Sequence, residues 1–268
     1  MRVRSVITAV LFLVFTFIYV PVQPCMAADE GAFAWTEVDL PTSMFPFSTY
    51  ALDASHVWTV GESGKVLFFN GSTWTSQNSN VTNRLMDVFA LDASHVWAVG
   101  ASGKIIFYNG SQWTTQPTGT SDMFQGVWAS APDNAWAVGS YKSYHFDGSA
   151  WSHESDHPGN LRSIGGIDSN HVWAGRENGT MRFYDGSIWT TQDTGSSKVV
   201  MGISALDNSH VWAAAQSDIL FFNGSIWAIQ ESLSTPSQVY SITALDSQHI
   251  WAAGFDSIFF FGGSTWSL

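Results

Sequence analysis

The chain has 268 residues, of which 45% are hydrophobic and 15% aromatic, whereas only 12% are charged. A formal net charge of −12 argues against nucleic-acid binding, because such binding depends on basic side chains that neutralise phosphates. Cys25 is the only cysteine, so no disulfide can form within the chain, and packing of a large apolar core must hold the fold.

Residues 1–28 have the layout of a secretory signal peptide. Two arginines precede an uncharged apolar run at residues 6–20, and the small residue Ala27 favours cleavage directly after it. The alternative is a retained membrane anchor, although the run is short for a full span. The sequence therefore predicts a secreted protein with a folded domain at residues 29–268 and no membrane contact beyond the first segment.

Two series of tryptophans divide the rest of the chain into repeats. The first series recurs every 37 to 39 residues and comprises Trp58, Trp97, Trp136, Trp173, Trp212 and Trp251. The second series recurs every 38 or 39 residues and comprises Trp74, Trp113, Trp151, Trp189, Trp227 and Trp266. A fixed period of this length indicates a repeat architecture in which neighbouring units bury each other's hydrophobic faces.

Each repeat has the pattern of four short antiparallel strands. In the unit Leu85–Gln116, apolar runs end in turn at "DAS", "ASG" and "NGS". Asn109-Gly110 is a strong signal for a two-residue hairpin turn, and all six repeats carry an Asn-Gly, Asp-Gly or Gly-Gly pair there. Runs such as "KVLFF" and "KIIFY" are apolar on both faces, as expected of a sheet that packs between two others.

The sequence therefore predicts an all-β fold, a six-bladed β-propeller of four-stranded antiparallel blades, with no helix outside residues 1–28. Small residues recur on each first strand, where blades converge: Ala51, Ala90, Ala129, Gly166, Ala205 and Ala244. Trp35 lies 39 residues before Trp74 and has the context of an additional fourth strand. A seven-bladed or truncated array is therefore the alternative, and the way in which the ring closes stays open.

The stretch "HVWAVGASGKIIFYNGSQW" and its copies resemble the BNR-like, photosystem II assembly factor-like repeats of secreted bacterial proteins, which form WD40/YVTN-like β-propellers. The resemblance extends from Trp35 to the end of the chain and implies the propeller fold. Sialidases carry the motif Ser-x-Asp-x-Gly-x-x-Trp at the same turn. Gly110 and Trp113 match its spacing, but Phe107 and Tyr108 stand in the stretch where its Ser and Asp belong. This departure weakens the case for sialidase activity.

The segment His153-Glu154-Ser155-Asp156-His157 has the letters of the zinc-protease motif H-E-x-x-H. It aligns with "WTSQ" and "WTTQ" of other repeats, which places it on a fourth strand that runs into a turn. Zinc proteases need this motif on a helix, where residues four apart share a face. We therefore predict no metal and no cofactor, with a loop site formed by His153, Asp156 and His157 as a weak alternative.

A second set of histidines occupies one position in five repeats: His56, His95, His171, His210 and His249. A ring of histidines could suggest a symmetric metal site. Each of them, however, follows an aspartate by three residues in a "DASH"-like turn. We predict that the aspartate organises the turn and that the histidine fastens it to a neighbouring strand.

The candidate binding site lies at one end of the propeller. In a blade, the connection to the next blade and the turn between the second and third strands lie at the same end. These loops differ among the repeats, whereas the turns at the opposite end are nearly constant. Aromatic side chains near a channel mouth can contact sugars or partner side chains, or can simply fill the channel. The candidate ligand-binding residues are Tyr50, Phe89, Trp128, Arg84, Arg162 and Asp122.

The function predicted from these features is non-catalytic binding by a secreted, monomeric scaffold whose partner is a carbohydrate or an extracellular protein. The alternative is a sialidase-like glycoside hydrolase. Such an enzyme would need an arginine cluster around the substrate carboxylate and a tyrosine nucleophile. Residues 29–268 contain four arginines, and they do not fall at matched repeat positions.

Overall fold

The computed structural model describes residues 40–140, 142–156, 159–233, 238–254 and 257–268. The predicted signal segment, Trp35 and His157 lie outside these ranges, and Asp156 is described only by its backbone. Within the described ranges, no helix has the length and apolar character needed to cross a membrane.

The strands are short and evenly distributed along the chain. In chain order they are β1 Pro46–Asp53, β2 His56–Gly61, β3 Val66–Phe69, β4 Trp74–Gln77, β5 Leu85–Asp92, β6 His95–Gly100, β7 Ile105–Tyr108, β8 Trp113–Gln116, β9 Phe124–Ala131, β10 Asn134–Gly139, β11 Lys142–Phe146, β12 Trp151–Asp156, β13 Leu161–Asp168, β14 His171–Arg176, β15 Met181–Tyr184, β16 Trp189–Gln192, β17 Gly202–Asp207, β18 His210–Ala215, β19 Asp218–Phe222, β20 Trp227–Ser232, β21 Val239–Asp246, β22 His249–Gly254, β23 Ile258–Phe261 and β24 Trp266–Ser267. Two 3₁₀ turns occur at Glu62–Gly64 and Ala101–Gly103.

Each run of four consecutive strands forms one antiparallel sheet, from blade 1 (β1–β4) to blade 6 (β21–β24). The six-bladed all-β propeller predicted from the repeats is therefore confirmed. The first strands β1, β5, β9, β13, β17 and β21 pack side by side in chain order and line the central channel.

The first tryptophan series forms the contacts between blades. Trp97 on β6 is fully buried and packs with Ile105 of its own blade against Phe124 and Phe146 of blade 3. Equivalent clusters join blades 1 and 2, 3 and 4, 4 and 5, and 5 and 6. Replacing a buried tryptophan by alanine typically lowers the free energy of unfolding by about 3–5 kcal/mol, so these contacts dominate the stability of the propeller.

The second series fastens the outer edges of the blades. The indole Nε1 of Trp113 donates a hydrogen bond to Oε1 of Gln77, the last residue of β4 in the preceding blade, at 2.8 Å. The Nε1 of Trp151 donates in the same way to Gln116 at 2.7 Å. The repeated pattern Trp-x-x-Gln therefore reflects a bond to the preceding blade, which the described residues form at four blade boundaries. The other bonds of this kind join Trp227 to Gln192 and Trp266 to Gln230.

One end of the propeller, here called the constant end, carries the turns that follow the first and third strands. In blade 1 the Asp53 carboxylate accepts hydrogen bonds from the backbone N–H of Ser55 at 2.7 Å and pairs with Nδ1 of His56 at 2.9 Å. The bond from Ser55 lowers the pKa of Asp53 to about 2. The His56 ring lies 5.9 Å from the ring of Phe68 on the third strand. The predicted structural role of these Asp–His turns is therefore confirmed, and it recurs in four further blades.

The opposite end, here called the variable end, carries the turns after the second strands and the connections between blades. In blade 2 the backbone at Gly103 passes directly beneath the connection to blade 3. A Cβ at Gly103 would lie 2.0 Å from the carbonyl oxygen of Thr120, and the residue has a φ of +67°. Both constraints require glycine here.

Alanine substitutions at Gly103 and Gly119 separate these two constraints. Gly119 has a similar φ of +69°, but a Cβ there would meet nothing within 4 Å. We expect Gly119→Ala to lower the free energy of unfolding by about 1 kcal/mol through backbone strain alone. Gly103→Ala should lower the free energy of unfolding by about 3 kcal/mol or more, because the connection to blade 3 must also shift. Urea denaturation measures the free energy of unfolding of both variants. Equal losses would contradict the close approach of the Gly103 backbone to the connection between blades 2 and 3.

Candidate functional site

A β-bulge opens the first strand of most blades at the variable end. In blade 1 the pairing of β1 with β2 skips one residue between Pro46 and Ser48, so Phe47 has no partner in the register. A bulge turns its extra side chain away from the regular alternation of the strand. The residues at this position, here called the variable ring, are Phe47, Met86, Gln125, Arg162 and Tyr240.

A second bulge lies at the constant end of the same strands and provides an internal comparison. Its residues are Leu52, Leu91, Ser130, Ile167, Leu206 and Leu245. Five of these six are leucine or isoleucine, whereas all five members of the variable ring differ from one another. The same backbone feature therefore carries a repeated apolar residue at one end and diverse chemistry at the other. Diversity without a packing requirement favours a binding role for the variable end.

Arg84 lies at the variable end between blades 1 and 2. Its guanidinium carbon lies 5.2 Å from the ring centre of Phe47, and its Nη2 lies 3.6 Å from the carboxylate of Glu62. Phe45, on the same side of blade 1, is 44% exposed and its ring lies 5.4 Å from that of Phe47. This corner combines exposed aromatic surface with one partly neutralised cation.

Asp122 and Arg162 lie in separate ion pairs at the same end. Asp122 pairs with Lys142 at 3.1 Å, and the Thr120 hydroxyl and this lysine hold the pKa of Asp122 below its ordinary value. Arg162 donates through Nε to Glu177 at 2.8 Å. The structure therefore distributes the three predicted charged residues over blades 1 to 4, each beside an opposite charge.

Two cavities open at the variable end. One of about 210 Å³ is lined by Gly159, Arg176, Glu177 and Asn178 of blade 4. The other, of about 320 Å³, lies in blade 1 beside Phe45, Glu62 and Lys65 and is also lined by Ser43, Met44 and Ser63. Both involve the turn that follows a second strand, which places concave surface at the end where the loops vary.

Tyr50, Phe89 and Trp128 form a continuous aromatic row across blades 1 to 3. The ring centres of Tyr50 and Phe89 are 4.8 Å apart, and those of Phe89 and Trp128 are 6.3 Å apart. The strand pairing places them midway along the first strands, and not at the mouth of the channel as expected. Trp128 is only 7% exposed, and a Cβ at Gly166 in blade 4 would lie 2.8 Å from its ring. This burial favours the alternative in which the row fills the channel.

Asp87 is a residue of the channel that the sequence did not single out. Its carboxylate accepts a hydrogen bond from Oγ of Ser48 in blade 1 at 2.7 Å and from the N–H of Val127 in blade 3 at 2.9 Å. Burial raises the pKa of Asp87 to about 6. Burial and the nearby Asp87 also raise the pKa of Tyr50. One carboxylate thus links three consecutive blades. The sequence contains a signal for this residue, because Asp87 is an acid at a position where the other repeats have Ser or Gly.

Residues His153 to Asp156 of the H-E-x-x-H segment lie on β12, as predicted, and not on a helix. His153 pairs with Tyr144 across the sheet, and its ring lies 5.6 Å from that of Tyr144. In the part of the chain that the structure describes, no group of three or more His, Cys, Asp or Glu residues is arranged to hold a metal ion. The absence of a metal or cofactor stays a prediction, because His157 and the Asp156 side chain lie outside the described part.

Comparison with solved structures identifies other propellers of similar shape. The chain is similar to YCF48 bound to a D1 peptide, with 17% identity, a TM-score of 0.68, and coverage of 86% of this chain and 82% of that one. It is similar to YCF48 from Cyanidioschyzon merolae, with 18% identity, a TM-score of 0.54, and coverage of 84% and 97%. It is also similar to the WD40 repeats of RRP9, with 9% identity, a TM-score of 0.67, and coverage of 82% and 76%.

Such low identities establish a shared fold and leave the ligand undetermined. No protein-family model matches the sequence, and no curated protein matches it either. The similarity to YCF48 and WD40 propellers agrees with the fold that the repeat resemblance implied. Secretion and the relation to BNR-like repeats stay predictions.

The raised pKa of Asp87 leads to a pH-dependent difference between the protein and an Asp87→Asn variant. Because the folded-state pKa of about 6 exceeds the ordinary value of 3.8, the stabilisation from protonated Asp87 is complete below pH 3.8 and is lost as the pH rises through 6. We expect the stability of the variant relative to the original protein to increase by about 2–3 kcal/mol between pH 4 and pH 8. The change between the two pH values carries the test, because asparagine keeps one acceptor oxygen for the two donors Ser48 and Val127 and so shifts the difference at both.

Guanidinium denaturation at the two pH values measures this difference. Comparing the Asp87→Asn variant with the original protein at the same pH cancels the titration of other groups. A difference in the free energy of unfolding that is the same at pH 4 and pH 8 would show that Asp87 does not titrate in this way.

Proposed function

We propose that this protein is a non-catalytic, secreted scaffold that binds a protein partner through the variable end of its propeller. The variable ring carries the proposal, because one bulge position of the first strands holds five different side chains at the variable end, whereas the bulge position at the constant end is mostly leucine or isoleucine. The extracellular setting rests on the signal segment predicted at residues 1–28.

The chemistry of the variable end suits a polypeptide ligand. The ring combines the apolar Phe47 and Met86 with the polar Gln125, the cationic Arg162 and the phenol of Tyr240, which is 41% exposed. Aromatic, methionine and arginine side chains are enriched at protein interfaces, where a few of them supply most of the binding free energy. Rigid strands hold the ring in place, so little conformational entropy is lost on binding.

The comparison with known structures supports a peptide or protein partner. YCF48, which shares this fold over most of both chains, has been solved with a bound D1 peptide. A propeller of this shape can therefore present a peptide site, and this chain has variable residues and two cavities at one end.

A glycan is the second candidate, and the aromatic row is the observation that favoured it. Stacking on a sugar requires an accessible ring face, whereas Trp128 is 7% exposed and the Phe89 ring packs between those of Tyr50 and Trp128. The hydrolase alternative would need arginines gathered around one substrate. Arg84 and Arg162 are instead held in separate ion pairs in different blades. Turnover of a fluorogenic glycoside panel would favour the hydrolase over both binding functions.

Substitutions at the two ends of the strands test the proposed site. Peptides are first selected from a displayed random library against the purified protein, and their dissociation constants are measured by fluorescence anisotropy. We expect the double variant Phe47→Ser, Tyr240→Ser to weaken binding at least about tenfold, because it removes two apolar anchors of the ring. The folded state of each variant is checked by circular dichroism.

Leu245→Ser is the matched control. Leu245 lies on the same strand as Tyr240, is 49% exposed, and occupies the bulge at the constant end. Its replacement should change the dissociation constants by less than about twofold. Loss of binding with Leu245→Ser, or full binding by the double variant, would place the site elsewhere. Binding on a glycan array with no selectable peptide would favour the glycan.

A further inference from the structure

Arg176 occupies a position where the other blades need a very small residue. The equivalent residues at the end of the second strand are Gly61, Gly100, Gly139, Ala215 and Gly254. At each of these glycines a Cβ would lie between 1.7 and 2.2 Å from a carbonyl oxygen just before or at the start of the first strand. Blade 4 instead accommodates a whole arginine side chain. The repeat is broken at this point in blade 4, and packing does not explain the choice of a cation.

Among the side chains that the structure describes, none supplies a counter-charge to the buried guanidinium of Arg176. The residue is 7% exposed, and Nη1 donates to the hydroxyl of Thr180 at 3.1 Å. Its Nε is buried and has no acceptor, and no carboxylate among the described side chains forms an ion pair with it. Burying a charge without a partner is costly, and native structures supply an opposite charge or a ligand.

Arg182 increases the positive charge at this place. Its Nη1 donates to Oγ1 of Thr191 at 3.0 Å and its Nη2 to the carbonyl of Trp189 at 2.9 Å, while its Nε is buried without an acceptor. Burial, and then the nearby Arg176, lower the pKa of Arg182. Two neighbouring guanidinium groups therefore repel each other in a chain whose net charge is −12.

The 210 Å³ cavity of blade 4 gives a small ligand access to Arg176. Gly159 forms one wall, and a Cβ there would lie 3.3 Å from Nη2 of Arg176, so the missing side chain leaves this nitrogen facing open space. The Glu177 carboxylate also lines the cavity, but it already accepts hydrogen bonds from Asn160 at 3.0 Å and from Arg162. These bonds keep the pKa of Glu177 below its ordinary value. Glu177 is thus committed to Arg162, and the charge of Arg176 is left for a ligand.

We infer that this cavity is a subsite for a carboxylate of the bound polypeptide, with Arg176 as its principal contact. The inference rests on the proposed function and names the chemistry of one partner group. The planar guanidinium matches a carboxylate better than it matches an ammonium or a neutral amide. The presence of Glu177 in the wall disfavours a doubly charged phosphate, and the volume suits the end of one side chain or of the chain itself.

Side-chain NMR of the full protein tests the subsite. The Nε–Hε groups of the arginines give separate ¹H–¹⁵N signals, which are assigned by substitution. The probes are N-acetyl-Gly-Glu-Gly-amide, N-acetyl-Gly-Gly-Gly with a free carboxyl terminus, and N-acetyl-Gly-Gln-Gly-amide as the neutral control. We expect at least one carboxylate peptide to shift the Arg176 signal with a dissociation constant on the order of millimolar, and the neutral peptide to leave it unchanged.

Two alanine variants locate the effect. Arg176→Ala introduces the residue that blade 5 has at this position, so the variant should fold, and its remaining signals should respond at least about tenfold more weakly. Lys198→Ala removes an exposed cation from the connection between blades 4 and 5 at the same end and should respond as the original protein does. The relative response to the first two peptides identifies a side-chain or a terminal carboxylate as the source.

Several results would overturn the assignment. The Arg176 signal could fail to move with either carboxylate peptide, or the response could survive Arg176→Ala unchanged. A response to glucuronate with none to the peptides would assign the cavity to an acidic sugar instead. If the selected peptides still depend on Phe47 and Tyr240 while the Arg176 signal does not move, this subsite is wrong and the proposed function stands.

Discussion

The requirement that each blade bury its apolar faces against its neighbours controls the rest of the structure. A four-stranded sheet with two apolar faces is stable in water only between two others, and the first tryptophan series fills the space between them. Trp58, Trp97, Trp136, Trp173 and Trp212 are each at most 2% exposed, and each lies in a cluster shared with the next blade. Because these contacts depend on regular geometry, the interior of each blade has little freedom to vary.

The two ends of the propeller differ in how much their residues vary from blade to blade. At the constant end, an aspartate and a histidine fasten the turn after the first strand in five blades, and five of the six bulge residues are leucine or isoleucine. At the variable end, the turns support connections of different sequence, and the bulges carry the variable ring. The constant end serves folding, and the variable end is free to bind. The acidic surface expected from a net charge of −12 makes the arginines of blade 4 a local exception.

The sequence predicts the blades well because each feature occurs six times. Alternating apolar runs, Asn-Gly turns and tryptophan spacing all indicate the same unit, and the structure confirms it.

The candidate site is less predictable. A bulge is a slip of one residue in pairing, which depends on how the first strand bends around the channel and leaves its apolar pattern unchanged. The sequence therefore pointed to Tyr50, Phe89 and Trp128, whereas Phe47 and Tyr240 lie nearer the mouth. Arg176 has a signal in the sequence, an arginine at a position where most repeats have glycine. Its burial without a counter-charge among the described side chains is visible only in three dimensions.

Photocrosslinking from the two ends of one strand tests most directly the claim that binding occurs at the variable end. A benzophenone amino acid is placed at Tyr240 or at Leu245, which are 41% and 49% exposed at opposite ends of β21. The two proteins are produced in the native host, the culture is irradiated, and adducts are identified by mass spectrometry. The account predicts a discrete protein adduct from position 240 and none from position 245. A discrete adduct from position 245, with none from position 240, would contradict it.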